Sequence, residues 1–221
     1  MNILTRMIIA IDGPSASGKG TVAKRLAEHF SLPYLDTGLL YRAVTFVLLQ
    51  RGFSPENEKA ASTIAKSFKD GVPDGLMYDA GLRSEIVSRA ASFVAAMPEV
   101  RRHLLDFQKS FAYQPNGAVL DGRDIGTVIA PDTPLKLYIT ANPSVRAERR
   151  MKELHLRGQK VTYEAVLEDM QARDARDETR DTAPAKVAPG AAVLDTSGLN
   201  ADEAFAAALQ IVKEKMASLK T

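Results

Sequence analysis

Apolar and polar positions fall into two alternating rhythms along the chain. Short, nearly unbroken apolar runs predict strands at 7–11, 33–36, 118–121, 135–140 and 192–195, the pattern of strands buried on both faces of a parallel sheet. Between them apolar residues recur at helical spacing, predicting helices over 19–30, 38–51, 55–68, 83–96, 98–112, 143–156, 162–180 and 201–219. In the first of these, Val22, Ala23, Leu26, Ala27 and Phe30 make one stripe, and Lys24, Arg25 and Glu28 fall off it. Pro98 and Pro143 stand where proline starts a helix well. Asn142 is placed to cap the helix that Pro143 opens. Five strands joined by crossover helices imply an open, doubly wound α/β sheet with helices on both faces.

In such sheets ligands gather beyond the carboxyl ends of the strands. Three predicted strand ends carry suggestive turns on one rim: Asp12 and the loop after it, Asp36-Thr37-Gly38, and Asp121-Gly122-Arg123-Asp124. The first is the most specific. Gly13-Pro14-Ser15-Ala16-Ser17-Gly18-Lys19-Gly20-Thr21 joins a strand to a helix with the Gly-x4-Gly-Lys spacing of a P-loop, a turn whose backbone N–H groups and helix N-terminus cradle phosphate. Gly20 occupies the position where the pattern has Ser or Thr, and Thr21 follows to offer a hydroxyl on the Mg²⁺ side. A chance glycine turn is the plain alternative, and the strand before and helix after weigh against it.

Two stretches look like inserts, the first of them far longer than a crossover needs. Residues 52–115 separate the second and third strands, with a turn-rich middle at Asp70-Gly71-Val72-Pro73-Asp74-Gly75. Residues 146–160 gather Arg146, Arg149, Arg150, Lys152, Arg157 and Lys160. Arg173, Arg176, Asp177 and Arg180 then stand at i, i+3, i+4 and i+7 and share one helix face. Intrahelical pairing, such as Asp169 with Arg173, is the plain reading of that face; three arginines around one aspartate also make an anion-facing wall.

Composition narrows the choice. An apolar fraction of 45% with 25% charged residues is that of an ordinary soluble globular protein, and 221 residues suffice for one core with insertions. A net charge of +2 is too balanced to suggest bulk nucleic-acid binding. With no cysteine there is no thiolate nucleophile, disulfide or Cys-based zinc site, and His29, His103 and His155 form no ligand pair. No secretory leader and no 18-residue apolar run is visible, so the expectation is a cytoplasmic monomer with neither a membrane nor a nucleic-acid partner.

The motifs together resemble the bacterial cytidylate kinases, within the nucleoside monophosphate kinase group of P-loop proteins. The similar segments run nearly end to end: Ile11-Asp12-Gly13-Pro14-Ser15, Gly18-Lys19-Gly20-Thr21, Leu35-Asp36-Thr37-Gly38, Tyr41-Arg42, Ala90-Ala91-Ser92, Pro98-Glu99-Val100-Arg101, Asp121-Gly122-Arg123-Asp124-Ile125-Gly126-Thr127-Val128, Glu148-Arg149-Arg150, and Arg173-Asp174-Ala175-Arg176-Asp177 with Arg180. Gly-Lys-Gly-Thr is itself the variant common in that group. The resemblance implies transfer of the γ-phosphoryl group of ATP to CMP, and to dCMP, with Mg²⁺. It implies a three-layer P-loop fold around a five-stranded parallel sheet. Its core would be 1–36, 116–145 and 181–221, with an acceptor-binding insert at 37–115, a lid at 146–160 and an acceptor-facing helix at 161–180.

The same resemblance assigns residues. Gly13 to Thr21 would hold ATP, with Lys19 on its β- and γ-phosphates. Thr37, Arg42 and Arg123 match positions around the CMP phosphate; Ser92, Arg101 and Asp124 match base-reading positions; Arg173, Asp177 and Arg180 match residues at the ribose and base. Arg149 and Arg150 would close over the phosphates, unless they are only a solvated helix face with Glu148 and Glu153. Thr21, Asp36 and Asp121 would serve the metal, the carboxylates through water. An acceptor phosphate has a second pKa near ~6, so it is already anionic at neutral pH and no side chain need remove a proton. Such a kinase needs positive charge, Mg²⁺ and exclusion of water rather than a base. Asp124 has its own logic: a carboxylate accepts from the cytosine amine and repels the uracil carbonyl. A turn aspartate capping a backbone N–H is the plain alternative. One departure stands out, because cytidylate kinases usually carry a small sheet before the Ala-Ala-Ser segment. Here Lys69 to Arg83 is short and glycine-rich, so that sheet is expected to be trimmed or lost.

Rival readings are a P-loop kinase for UMP, AMP or shikimate, a GTP-binding switch, and a scaffold without turnover. Asp124, Arg101 and Arg180 suit a pyrimidine edge. The Asn-Lys-x-Asp guanine motif of GTP switches is absent from the sequence.

Overall fold

The computed structural model describes residues 6–69 and 71–219. Its centre is a five-stranded, all-parallel sheet in the order β2-β3-β1-β4-β5, formed by β1 (Met7–Asp12), β2 (Tyr34–Asp36), β3 (Gly117–Gly122), β4 (Leu135–Thr140) and β5 (Ala192–Asp195). β1 lies in the middle because its run is apolar enough to be buried on both faces: Ile9, Ala10 and Ile11 are fully enclosed. The fifth strand departs from that expectation. β5 is an edge strand with alternating exposure, and Val193 is 57% exposed.

Two cores flank the sheet. On one face Ile9, Ile11 and Leu137 pack with Val22, Ala23 and Leu26 of α1 (Lys19–Phe30) and with Ala208 and Val212 of α8 (Ala201–Ser218). On the other, Ala10, Ala118 and Leu120 meet α2 (Thr37–Gln50), α3 (Glu58–Ser67) and α5 (Pro98–Ala112), with Leu40, Val44, Ile64 and Leu104 at the centre. α4 (Glu85–Val94) packs against α2. α6 (Pro143–Leu156) and α7 (Tyr163–Thr179) form a hairpin with a small core of its own, Ala147, Leu154, Val166 and Met170, which also touches Ala16 of the loop after β1.

Between α3 and α4 the chain makes two short 3-10 turns, Leu76–Tyr78 and Ala80–Arg83, and no strand among the described residues. The small sheet is thus lost. Gly81 lies against α2, where an added Cβ would meet Phe46 Cε2 at 2.5 Å. The turn-rich Asp70 falls outside the described residues. Asn142 precedes α6 as expected, but its side chain makes no cap hydrogen bond; its own N–H donates to Ser197 Oγ at 2.8 Å instead.

Candidate active site

The loop 13–18 leaves β1 at the centre of the sheet, where strand order reverses. Its geometry explains its glycines. A Cβ on Gly13 would lie 2.0 Å from the Ile139 carbonyl oxygen, and Gly18 caps α1 at φ +86°. Ala16 also holds a positive φ of 57°. The loop is pinned from outside. Arg146, buried at the start of α6, donates from Nη1 to the Ser15 carbonyl at 3.2 Å and to Asp174 Oδ2 of α7 at 2.7 Å. Thr196 after β5 donates from Oγ1 to the Ser17 carbonyl at 2.8 Å. The basic run alone gave no reason to separate Arg146 from its exposed neighbours, and nothing in the sequence singled out Thr196. Gly20 has a local cause: a Cβ there would stand 3.2 Å from Asp121 Oδ2. A side chain at this P-loop position would press on a carboxylate already held by the Tyr34 hydroxyl, which donates to the same oxygen at 2.7 Å.

Clefts lie on both sides of the loop. The larger is about 760 Å³, counting the part open to solvent, and falls in the range of nucleotide-sized sites. All nine residues assigned to the acceptor line it: Thr37, Arg42, Ser92, Arg101, Arg123, Asp124, Arg173, Asp177 and Arg180, together with Lys19, Asp36 and Asp121. They come from four separate stretches of the chain. The other cleft, about 550 Å³, is lined by Ser17, Gly18, Thr21, Arg149, Thr196 and Leu199. Thr21 thus lines this cleft, whereas Asp36 and Asp121, the other two residues expected at the metal, line the larger one.

The larger cleft sorts its charges into two groups. At its deep end Asp124, only 4% exposed, accepts from Arg101 Nη2 and lies 3.9 Å from Arg180 Nη2. Asp177 accepts from Arg123 Nε at 2.9 Å. Burial works against its charge, but Arg123, Arg173 and Arg180 together hold its pKa below the ordinary carboxylate value. Ser92 accepts from Arg176 Nε at 3.2 Å and donates to the Arg89 carbonyl at 2.9 Å. Arg176, outside the expected site set, also stacks over Phe93, with its guanidinium 4.7 Å from the ring centre.

Nearer the loop, the side chains of Lys19, Arg42 and Arg173 make no hydrogen bond or ion pair with any described residue. Arg173 Nε is fully enclosed without a partner, and so is Arg180 Nη2 apart from its distant carboxylate. Burial and then the Arg123 charge pull the Arg173 pKa down to about 10. The same two causes lower that of Lys19, against the pull of Asp121 and Asp36. Cations crowded this way, short of counter-ions and with orphaned donors, are arranged for an anion that arrives from outside. Thr37 and Arg123, the other residues expected at the phosphate, do have partners: the Thr37 hydroxyl donates to the Asp121 carbonyl at 2.9 Å, and Arg123 is paired with Asp177.

Asp36 and Asp121 sit beside these cations, and burial followed by the Asp36 charge raises the Asp121 pKa. Two crowded carboxylates at the rim of a phosphate cradle fit a hard divalent cation that keeps its waters and shares phosphate oxygens. The described residues form no cluster of three or more acidic or histidine side chains that would cage such an ion unaided.

The family model for cytidylate kinase matches residues 9–214. The chain belongs to the cytidylate kinase family. A cytidylate kinase of Methylocella silvestris is 55% identical over 214 residues, covering 97% of each chain. One of Xanthobacter autotrophicus is 53% identical over 211 residues, covering 96% of this chain and 99% of that one. A crystal structure of an uncharacterized protein from Eubacterium ventriosum superposes with a TM-score of 0.57 over 95% of this chain and 99% of that one. At 17% identity it speaks for the fold alone. The five-stranded parallel sheet with helices on both faces is the P-loop kinase architecture expected of this family. No helix among the described residues is long and apolar enough to cross a membrane.

Proposed function

We propose that the two clefts are the acceptor and donor halves of one phosphoryl-transfer site, divided by the loop Gly13–Gly18. As a cytidylate kinase, the protein transfers the γ-phosphoryl group of ATP to CMP, giving ADP and CDP; dCMP is a second acceptor in this reading. ATP enters the cleft lined by Gly18, Thr21, Arg149 and Thr196 and lays its phosphates along the loop, under the N–H groups that begin α1. Arg149 walls the donor side. Its Nη2 donates to the Thr196 carbonyl at 2.6 Å and to that of Leu199 at 3.2 Å, and this fixes the guanidinium beside Gly18. CMP enters the other cleft, with its phosphate among Arg42, Arg123 and also Arg173, which the resemblance had put at the ribose and base but whose buried Nε lacks a partner. Its cytosine lies against Asp124 and Ser92, with Arg101 and Arg180 holding the carboxylate. Residues 37–115 act as the acceptor-binding insert, 146–160 as the lid and 161–180 as the helix between them.

The chemistry follows from charge. The CMP phosphate attacks as an anion already free of its proton, so the residues hold and orient rather than deprotonate. Lys19 spans from the loop to the transferring group, and Arg150 closes on it from the lid. Their donors are worth most when closure has driven out water. Asp36 and Asp121 would hold Mg²⁺, which would supply neutralising charge to the phosphates. Cytosine is chosen over uracil because Asp124 has only acceptor atoms to offer.

The observation that carries this reading is the convergence of Lys19, Arg42 and Arg173, none with a side-chain hydrogen bond or ion pair among the described residues, on the cleft that also holds Asp124. It is tested by kinetics on Arg42→Ala and Arg173→Ala. Each should raise KM for CMP on the order of tenfold or more, as expected for a lost charge-assisted contact, while KM for ATP stays within about threefold. Equal damage to both substrates would contradict the division of the site.

A further inference from the structure

Besides the Arg176–Ser92 hydrogen bond, three bridges join the 3-10 turn and α4 to the hairpin of α6 and α7, two of them to the lid. Arg150 of α6 donates from Nη2 to Glu85 Oε2 at 2.9 Å. Arg157, one helical layer further on, donates from Nη1 to the Arg83 carbonyl at 2.9 Å. Arg89 of α4 donates from Nε to Asp169 Oδ1 of α7 at 2.9 Å. Of these three, only the first involves a residue assigned to the chemistry.

Arg150 is not free to point anywhere. Its side chain is 13% exposed, and a second carboxylate, Glu153 Oε2, accepts from Nη1 at 2.9 Å. Glu153 is itself shared with Arg157, which donates to its other oxygen at 2.5 Å. Glu85 and Arg150 line a cleft of about 630 Å³ that shares Ser15 and Arg173 with the acceptor cleft, so this guanidinium sits where lid, insert and phosphate loop meet. The position is electrostatically unfavourable. The Arg150 charge is felt by both Arg42 and Arg173, whose pKa values it helps to depress. A third guanidinium beside two uncompensated ones needs a counter-charge if it is to stay before the phosphates arrive. A guanidinium has five N–H groups. The two nitrogens facing Glu85 and Glu153 each spend one, which leaves three for phosphoryl oxygens.

We propose that Glu85 is a positioning residue for phosphoryl transfer: carried on the insert, it holds the lid residue Arg150 against the phosphate site when the two close. This rests on the reading of Arg150 as a residue that meets the transferring group. It also gives closure of the insert around an acceptor a direct consequence for the lid. Until Glu85 arrives, Arg150 has only its own helix's Glu153 to orient it, and like charge pushes it outward.

A double-mutant cycle tests this, with kcat, both KM values and thermal midpoints measured for the wild type, Glu85→Ala, Arg150→Ala and the double variant, and Glu85→Gln as an isosteric control. Glu85→Ala should lower kcat on the order of tenfold, the range of coupling between residues in direct contact, and leave KM for ATP within about twofold. Glu85→Gln keeps an acceptor without the charge and should fall between Glu85→Ala and the wild type. In the Arg150→Ala background, removing Glu85 should change kcat less than twofold. The same loss in both backgrounds would show that Glu85 acts structurally and would overturn the proposal. So would an unchanged or increased kcat in Glu85→Ala. If Arg150→Ala alone were fully active, the assignment of Arg150 would fall and this inference with it; an impaired Arg150→Ala beside a normal Glu85→Ala would sink the inference alone. Glu85 begins its helix at the surface, and should Glu85→Ala melt early, Glu85→Gln supplies the same comparison.

Discussion

Replacing Asp124 by Asn changes one oxygen to an amide nitrogen and leaves the shape of the pocket intact. The consequences split into two that are measured separately. Asp124 is the counter-ion of two buried arginines: Arg101, whose Nη2 donates to it, and Arg180, 3.9 Å away, with side chains 7% and 5% exposed. Removing one partner of such a cluster costs about 3–5 kcal/mol, because buried charge is left uncompensated. Asp177 lies 3.7 Å from Arg180 and shares part of that load, so the lower end applies, about 3 kcal/mol. For a chain of this length each kcal/mol shifts the midpoint by roughly 2–4 °C, which puts the loss near ~6–12 °C. The second consequence is in selectivity. An asparagine presents either its oxygen or its NH₂ to the base edge, so it accepts from cytosine or donates to uracil with equal ease. A site built on a polar contact discriminates against the analogue that leaves it unpaired by up to about 10⁴-fold. Losing the acceptor-only edge should cut the CMP-to-UMP ratio of kcat/KM on the order of a hundredfold or more. The assay is ADP release with each acceptor, run well below the variant's midpoint. If the variant melts early but keeps the wild-type ratio, Asp124 is a structural counter-ion and the account of base reading is wrong.

Two further changes test the frame around the site. Gly20→Ala should leave the midpoint unchanged or raise it, since alanine is about 1 kcal/mol better than glycine within a helix. Yet kcat should fall several-fold, because the new methyl stands 3.2 Å from the Asp121 carboxylate; unchanged turnover would remove the explanation offered for this glycine. Asp12→Asn addresses the buried carboxylate that accepts from the Ile125 and Gly126 N–H groups at 2.8 Å each. Burial raises its pKa from 3.8 to about 7, against the pull of those two hydrogen bonds. A raised acid stabilises the fold fully below its unfolded pKa, and that contribution is lost as pH climbs through the folded value. The stability difference between wild type and Asp12→Asn should therefore shift in the variant's favour as pH rises from about 4 to 7; denaturant titrations at four pH values across that window would reveal a flat or opposite trend.

Much of this architecture is legible in the chain because local signals and burial agree. The helices α1, α5 and α6 begin and end where their apolar stripes and prolines say, and all five strands fall on the apolar runs. What could not be read was decided at a distance. Ile125–Ile129 winds into a π-helical turn with no sequence signature, because Asp12, more than a hundred residues earlier, accepts from its first two N–H groups. That turn sets the direction of Asp124. The edge position of β5 is a matter of sheet order, which periodicity does not encode. Arg146, Arg149 and Arg150 are alike in sequence yet end in three environments: one clamped under the phosphate loop, one on the carbonyls after β5, one between two glutamates. The motifs named nine residues that line the larger cleft. They could not show which of its cations would lack partners, and the proposed phosphate position rests on that feature.

The central claim is that an uncompensated cationic pocket with a pyrimidine-reading carboxylate sits directly across the loop from the donor cleft. The most direct measurement is ADP release from ATP with Mg²⁺ in the presence of CMP, dCMP, UMP, AMP or shikimate, one at a time, alongside Lys19→Ala. Fast release with the cytidine nucleotides, stoichiometric with nucleoside diphosphate formed and abolished in Lys19→Ala, is the predicted result. Faster turnover of UMP, AMP or shikimate than of CMP, or full activity in Lys19→Ala, would contradict it.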